Sequence, residues 1–310
     1  MVAVVVAIAV SNSGDEDTPS VASSSPTTGS SVTTTSANPT ANSGPFTGTY
    51  SVQFGPTTRW NGEPWPSSAP AYTETWRLRS ACNADGCVAT AAAGNQYPSN
   101  SLVFDQIGGR WIAVTNSQGK CKDMDGELWN SLSLQPGPDG AMSGEFSQTQ
   151  SNGCLSKRTV TLRRTGDVDL SSLPDPATQD PRVKTPGDAL HGRYHEVLKL
   201  HTVHEYDNGV RTDCLRNGTR CMSYFVDLAS GSGEALIFEN GRWTRNSVYD
   251  ADCTSGGRDH ITNTGTFPLP QPPQDPIGFL TGNGRIEIAP GGNTKCASVD
   301  YSQSFTRTGD

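Results

Sequence analysis

The eight cysteines are the residues whose spacing says most about their chemistry. They form two sets of four, and each set begins with a close pair: Cys82, Cys87, Cys121 and Cys154, then Cys214, Cys221, Cys253 and Cys296. Zinc sites use tighter pairs such as C-x2-C, whereas an even number of cysteines with repeated spacing is typical of disulfides. The pattern therefore predicts disulfide bonds and an oxidising compartment outside the cytoplasm.

Turn sequences between the close pairs favour one disulfide pairing. Asp-Gly lies between the first pair and Asn217-Gly218 between the second, and facing positions at a hairpin mouth lie at disulfide distance. The expected bonds are Cys82–Cys87, Cys214–Cys221 and, by elimination, Cys121–Cys154 and Cys253–Cys296. Four cysteines in one module allow three pairings, so the alternatives stay open.

Four of the five histidines lie between positions 191 and 204. If residues 194–203 form a strand, His195 and His201 share a face, and adjacent imidazoles can bind zinc or copper or titrate near neutral pH. The matching stretch of the first half, residues 50–54, has no histidine. His195 and His201 are the candidate metal ligands, half-exposed strand histidines are the simpler interpretation, and no cofactor is predicted.

Two tryptophans occupy a Pro/Gly-rich loop that has no counterpart in the second half of the chain. Trp60 and Trp65 lie in residues 59–66, where exposed aromatic rings are suited to contacting a sugar, lipid or peptide. Packing of the loop onto its own module is the alternative. The sequence has no G-x-S-x-G, Walker A or H-E-x-x-H motif, so no catalytic residue is predicted.

These residues are carried by a sequence unit that occurs twice. Leu102-Val-Phe-Asp105 and Gly109-Arg-Trp111 return as Leu236-Ile-Phe-Glu239 and Gly241-Arg-Trp243, and both halves end in Arg-Thr-Gly-Asp. Alternating segments such as Trp76-Arg-Leu-Arg-Ser80 predict half-buried antiparallel strands, and no amphipathic helix of ordinary length is found. The predicted fold is all-β: two tandem homologous antiparallel β-barrel or sandwich modules, each with two disulfides.

Composition divides the chain into five parts. Residues 1–10 are apolar and are interpreted as the end of a transmembrane helix, with a poorly formed signal peptide as the alternative. Residues 11–45 are interpreted as a disordered Ser/Thr/Pro-rich stalk. Module 1 is expected at 46–167, a proline-stiffened linker at 168–187 and module 2 at 188–310. The absence of Lys and Arg before Arg59 favours an extracytoplasmic location, and a net charge of −8 argues against nucleic acid as a partner.

This layout, with its four-cysteine β-modules and the words Gly-Arg-Trp and Arg-Thr-Gly-Asp, resembles the extracytoplasmic regions of actinobacterial, especially mycobacterial, membrane-anchored proteins. Among these are the sensor regions of transmembrane Ser/Thr protein kinases. The resemblance implies sensing outside the cell. The first functional hypothesis is accordingly an extracytoplasmic ligand-binding or sensor module of a membrane-anchored protein, which recognises a small molecule, a cell-envelope component or a protein partner. The alternative is a secreted or anchored envelope hydrolase, in which titratable groups would converge in one cleft.

Overall fold

A computed structural model of the chain describes residues 44–310, apart from 66–67, 85, 122–123, 138, 153, 253–257 and 289–296. Its sheets form two closed eight-stranded barrels in tandem, in which each strand runs antiparallel to its neighbours. The predicted all-β class with two tandem modules is confirmed, and the modules are barrels rather than sandwiches. The N-terminal apolar run lies outside the described residues.

The first barrel is a simple meander that closes when its last strand pairs with its first. Its strands are β1 (Gly48–Phe54), β2 (Tyr72–Asn83), β3 (Gly86–Ala92), β4 (Ser101–Ile107), β5 (Arg110–Cys121), β6 (Met124–Pro136), β7 (Met142–Gln150) and β8 (Leu155–Gly166). The second barrel repeats this order. Its strands are β9 (Gly192–Lys199), β10 (Val203–Cys214), β11 (Cys221–Asp227), β12 (Gly233–Glu239), β13 (Arg242–Asp252), β14 (Arg258–Pro268), β15 (Phe279–Ile288) and β16 (Val299–Gly309).

Alternation along the strands fills both barrels with large side chains. Trp76 and Leu78 on β2 are fully buried, while Arg77 between them is exposed, as the sequence pattern predicts. Trp111 and Trp243, the matching tryptophans of the repeat, are both buried in the cores of their barrels. The indole of Trp243 also donates to Ser223 Oγ at 3.0 Å, which satisfies its N–H inside the core.

Two of the predicted disulfides lie within the described residues and both are confirmed. Cys82–Cys87 joins β2 to β3, and Cys214–Cys221 joins β10 to β11, each between directly paired residues. Cys154 is also disulfide-bonded. The side chain of Cys121 and the residues Cys253 and Cys296 lie outside the described part of the chain.

The segment between the barrels contains three short 3-10 turns, Leu170–Ser172, Pro176–Thr178 and Pro186–Ala189. Its first half is held by the first barrel, since Thr90 Oγ1 donates to Pro174 O at 2.7 Å and Arg79 pairs with Asp175 at 2.9 Å. Its second half is held by the second barrel, where the Val183 N–H donates to Arg216 O at 2.9 Å. The connection is therefore fixed along its length.

Among the described residues, no helix has the length and apolar character to cross a membrane.

Replacing Trp111 or Trp243 by alanine tests whether the repeated tryptophan is a core residue in both barrels. Because each ring is fully buried, we expect either change to lower the free energy of unfolding by about 3–5 kcal/mol. Denaturant unfolding measures this, with the partly exposed Trp65→Ala as the control. A loss at Trp111 or Trp243 no larger than that of the control would contradict the assignment.

Candidate functional site

The two barrels meet across an apolar layer formed by their outward-facing side chains. Its members are Trp129 and Leu155 from the first barrel and Met222, Tyr224, Val226 and Ala235 from the second. On β11, six consecutive residues from Cys221 to Val226 are buried. One face of that strand lies in its own core and the other against the first barrel, which is why the usual in–out alternation is lost.

Arg211 on β10 connects the apolar layer to the carboxylates around it. Its guanidinium lies 3.3 Å from Glu145 of the first barrel and 3.0 Å from Asp213 of its own strand. Asp213 in turn accepts from Ser131 Oγ at 2.7 Å, across the interface. Burial lowers the pKa of Arg211, but Asp213, Tyr224 and Glu145 together outweigh it, so the pKa is raised and the side chain stays charged.

Two further arginines of the β10–β11 connection reach carboxylates of the first barrel. Arg216 Nε lies 3.0 and 3.1 Å from the two oxygens of Asp105, whose side chain is only 8% exposed. Arg220 Nη2 donates to Glu127 Oε2 at 2.8 Å. These charged hydrogen bonds are directional, so they fix the position of one barrel on the other in addition to attracting it.

An interbarrel cleft of about 420 Å3 opens beside these ion pairs, at the β5 edge of the interface. One wall is apolar and consists of Ile107, Ile112 and Val114. The facing wall is residues 212–214 of β10, and the connecting segment supplies the rim: Arg182, Lys184 and Asp188. All three parts of the folded chain therefore line one concave surface, the arrangement in which ligand sites are most often found.

The charges at the rim of the cleft have partners within the protein. Lys184 Nζ lies 3.0 Å from Asp275 Oδ2, and Asp188 Oδ2 accepts from the Thr185 N–H at 3.2 Å. Arg182 lies 3.7 Å from Asp105 and donates to the Cys214 carbonyl. A ligand in this cleft would thus be held mainly by the apolar wall, with its polar end at the rim.

The two loop tryptophans lie at the opposite, β8 edge of the interface. The Trp60 ring packs edge-on against Tyr224 at 5.4 Å between centroids, and the cations of Arg211 and Lys157 lie 5.0 and 5.5 Å from it. Trp65 is covered by Arg59 at 5.2 Å. Both line a groove of about 290 Å3 against the turn at 230–233. Ligand binding by Trp60 and Trp65 stays a prediction.

The structure does not bring His195 and His201 into a described metal site. His195 lies 3.1 Å from Asp207 and 3.6 Å from Glu205, whereas His201 is exposed in the bend after β9. Among the described residues, the one group with ligand atoms close enough for a metal is Asp188, Cys214 and Cys221. Its two cysteines form a disulfide, so they offer no thiolate. Metal binding by the histidines stays a prediction.

The second barrel contains a buried polar network that sequence reasoning missed. Glu196 accepts from Asn208 at 2.6 Å and from Gln303 at 2.5 Å, and Gln303 also reaches Glu234 at 3.2 Å. Arg245 forms an ion pair with Glu234 and closes the network. Burial, and next the nearby Glu234, raise the pKa of Glu196 to about 7. Counting from the shared Gly-x-Tyr motif, Glu196 corresponds to Val52 of the first barrel. This replacement of an apolar residue by an acidic one at an inward-facing position is the sequence signal that could have indicated the network.

Glu196→Gln tests this network through the pH dependence of stability. The folded protein holds the Glu196 proton more tightly than the unfolded chain does, so its stabilising effect is full below the unfolded pKa and falls as pH rises towards about 7. We expect the neutral glutamine to raise the unfolding temperature near pH 8 and to change it little near pH 4.

Thermal unfolding at the two pH values measures the effect. Asp139→Asn, which removes one carboxylate at an exposed turn position between β6 and β7, is the matched control. A Glu196→Gln protein with the same pH profile as the unmodified chain would show that the network does not titrate.

Comparison with known proteins finds a family model that matches the part of the chain containing the first barrel. Residues 42–178 match the family model of the PknI serine/threonine-protein kinase sensor domain. No curated protein matches the chain. Among solved structures, the monomer form of the Mycobacterium tuberculosis PknI sensor domain is 23% identical, with a TM-score of 0.36, and the match covers 43% of this chain and 96% of that one.

Two other solved structures match more weakly. The dimer form of the same sensor domain is 24% identical, with a TM-score of 0.30 over 33% of this chain and 78% of that one. A DUF3598-family protein of unknown function from Nostoc punctiforme is 13% identical, with a TM-score of 0.19 over 84% and 96%. With TM-scores this low, the structural similarities carry no functional information. The family match confirms the resemblance to a Ser/Thr kinase sensor region: residues 42–178 of this chain, and with them its first barrel, are similar to the PknI sensor domain.

Proposed function

We propose that this chain is an extracytoplasmic ligand-binding sensor module and that the interbarrel cleft receives its ligand. The observation that carries the proposal is that both barrels and the connecting segment line the cleft. The similarity of the first barrel to a kinase sensor domain supports a sensing role, and the disulfides support a location outside the cytoplasm. The comparisons give no support to the hydrolase alternative.

The walls of the cleft define the class of ligand. Three aliphatic side chains on one wall provide van der Waals contact and bury apolar surface, while the rim offers Lys184 and Arg182 beside their acidic partners. We therefore propose a small amphipathic molecule, such as a cell-envelope component with a short apolar chain and a polar end.

Anchoring through residues 1–10 belongs to the same proposal. So does the absence of nucleic-acid partners, which the net charge of −8 supports.

Ligand contact at this place has a mechanical consequence for a sensor. Arg182 in the rim shares Asp105 with Arg216, so a ligand that displaces Arg182 alters an ion-pair group that joins the barrels. Binding in the cleft would thereby alter the ion pairs between the two barrels rather than contacts within one barrel. A differential effect of this kind is what allows a ligand to shift a conformational equilibrium.

Binding of the fluorescent amphipathic probe anilinonaphthalene sulfonate to the folded, oxidised protein tests the cleft. We expect Ile112→Trp, which fills the space beside the apolar wall, to weaken probe binding by roughly tenfold or more. Val203→Trp adds the same ring at a position that is 59% exposed and lies at the other end of β10 from the cleft residues 212–214, so it is the matched control. Equal affinities of the two variants would show that the cleft is not the binding site.

A further inference from the structure

The open end of the first barrel contains a cavity that is separate from the interbarrel cleft. It has a volume of about 280 Å3 and is lined by Ala69, Pro70, Tyr72, Gln96, Pro98, Phe146, Gln148 and Arg158. Several of these residues occupy inward-facing strand positions: Tyr72 alternates in step with the core residue Trp76, and Arg158 with the core residue Val160. An arginine facing the interior of a filled small barrel requires an explanation, because side chains there are normally apolar.

The guanidinium of Arg158 is held in place by one of its nitrogens. Nη1 donates to the carbonyl oxygens of Gly55 at 2.7 Å and Pro70 at 2.9 Å, and Cζ lies 5.2 Å from the centre of the Tyr72 ring. Among the described residues, Arg158 forms no ion pair and donates hydrogen bonds through Nη1 alone. The Nε–Nη2 edge of a positioned cation thus faces no carboxylate of the described chain. That edge matches the two oxygens of a carboxylate.

The other walls of the cavity offer apolar surface and oriented polar groups. Phe146 and Tyr72 supply aromatic rings, and Gln148 Nε2 donates to Asn130 Oδ1 at 3.0 Å, which fixes the direction of its amide. Tyr97, the neighbour of the cavity residue Gln96, is a core residue: it is 3% exposed, and its ring lies 5.1 Å from that of Phe146, between centroids.

The second barrel shows that barrel construction does not require this arginine. Counting back from the closing Arg-Thr-Gly-Asp word, the residue that corresponds to Arg158 is Tyr301. Its hydroxyl accepts from Arg245 Nη1 at 2.9 Å and donates to Asn263 Oδ1 at 2.9 Å. At the matching position the second barrel therefore closes its interior with internal hydrogen bonds, whereas the first leaves a cation beside a cavity.

We propose that the open end of the first barrel binds a small carboxylate with a flat apolar body. Arg158 would receive the carboxylate on its Nε–Nη2 edge, and Tyr72 and Phe146 would contact the body. A cavity of about 280 Å3 accommodates a molecule of roughly ten non-hydrogen atoms, the size of benzoate. This site is independent of the interbarrel cleft, and either can exist without the other.

Nuclear magnetic resonance titration of the oxidised, isotope-labelled protein with benzoate tests the site. We expect the backbone amide signals of Gln96 and Gln148 to shift, and Arg158→Gln to weaken benzoate binding by roughly tenfold or more. Arg163→Gln removes the same charge from an exposed position of the same strand and should leave the affinity unchanged.

A second probe covers the case in which Arg158→Gln fails to fold, since that variant also loses the contacts to Gly55 and Pro70. On the unmodified protein, the neutral isostere benzamide should bind at least about tenfold more weakly than benzoate. The proposal is overturned if benzamide binds as well as benzoate, if Arg163→Gln weakens binding as much as Arg158→Gln, or if benzoate up to about 10 mM shifts no signal around the cavity.

Discussion

Burial of β11 on both of its faces is the constraint on which the rest of the architecture depends. A strand of a single barrel needs one apolar face, but this one presents Met222, Tyr224 and Val226 to the neighbouring barrel as well. Once that apolar layer excludes water, the ion pairs of Arg211 and Arg216 at its edges lie in a medium where charge interactions are stronger and leaving them unpaired is costly. The interbarrel cleft exists because the two barrels are held at this fixed separation.

The repeated words, the turn sequences and the alternating strands were sufficient to predict two disulfide-bearing β-modules. They could not distinguish a barrel from a sandwich, because closure depends on pairing between β1 and β8, which are about a hundred residues apart. The interface could not be predicted from the sequence either, because Asp105 and Arg216 are far apart in the chain and come together only on folding. The segment Met222-Ser-Tyr-Phe-Val226 was a visible sign, because it is apolar except for Ser223, whereas a strand buried on one side alternates apolar and polar residues.

Comparison of the two copies separates what the barrel needs from what each copy has acquired. Both keep the core tryptophan, the shared Gly-x-Tyr word and the closing Arg-Thr-Gly-Asp word. They differ where Val52 of the first corresponds to Glu196 of the second, and where Arg158 corresponds to Tyr301. The second barrel encloses its polar groups in an internal network, and the first places a cation at an open end. One fold thus carries two different polar environments, each recognisable because the other copy lacks it.

The doubly buried strand also bears on how this protein can change over generations. A barrel of this kind that folds alone exposes the outward face of its third strand to water. Met222, Tyr224 and Val226 contribute to the packing of the tandem pair, and on a separated second barrel they would form an exposed apolar patch. Deletion of the first barrel would therefore expose an aggregation-prone surface on the second. The solubility of the second barrel thus depends on the presence of the first, independently of any ligand.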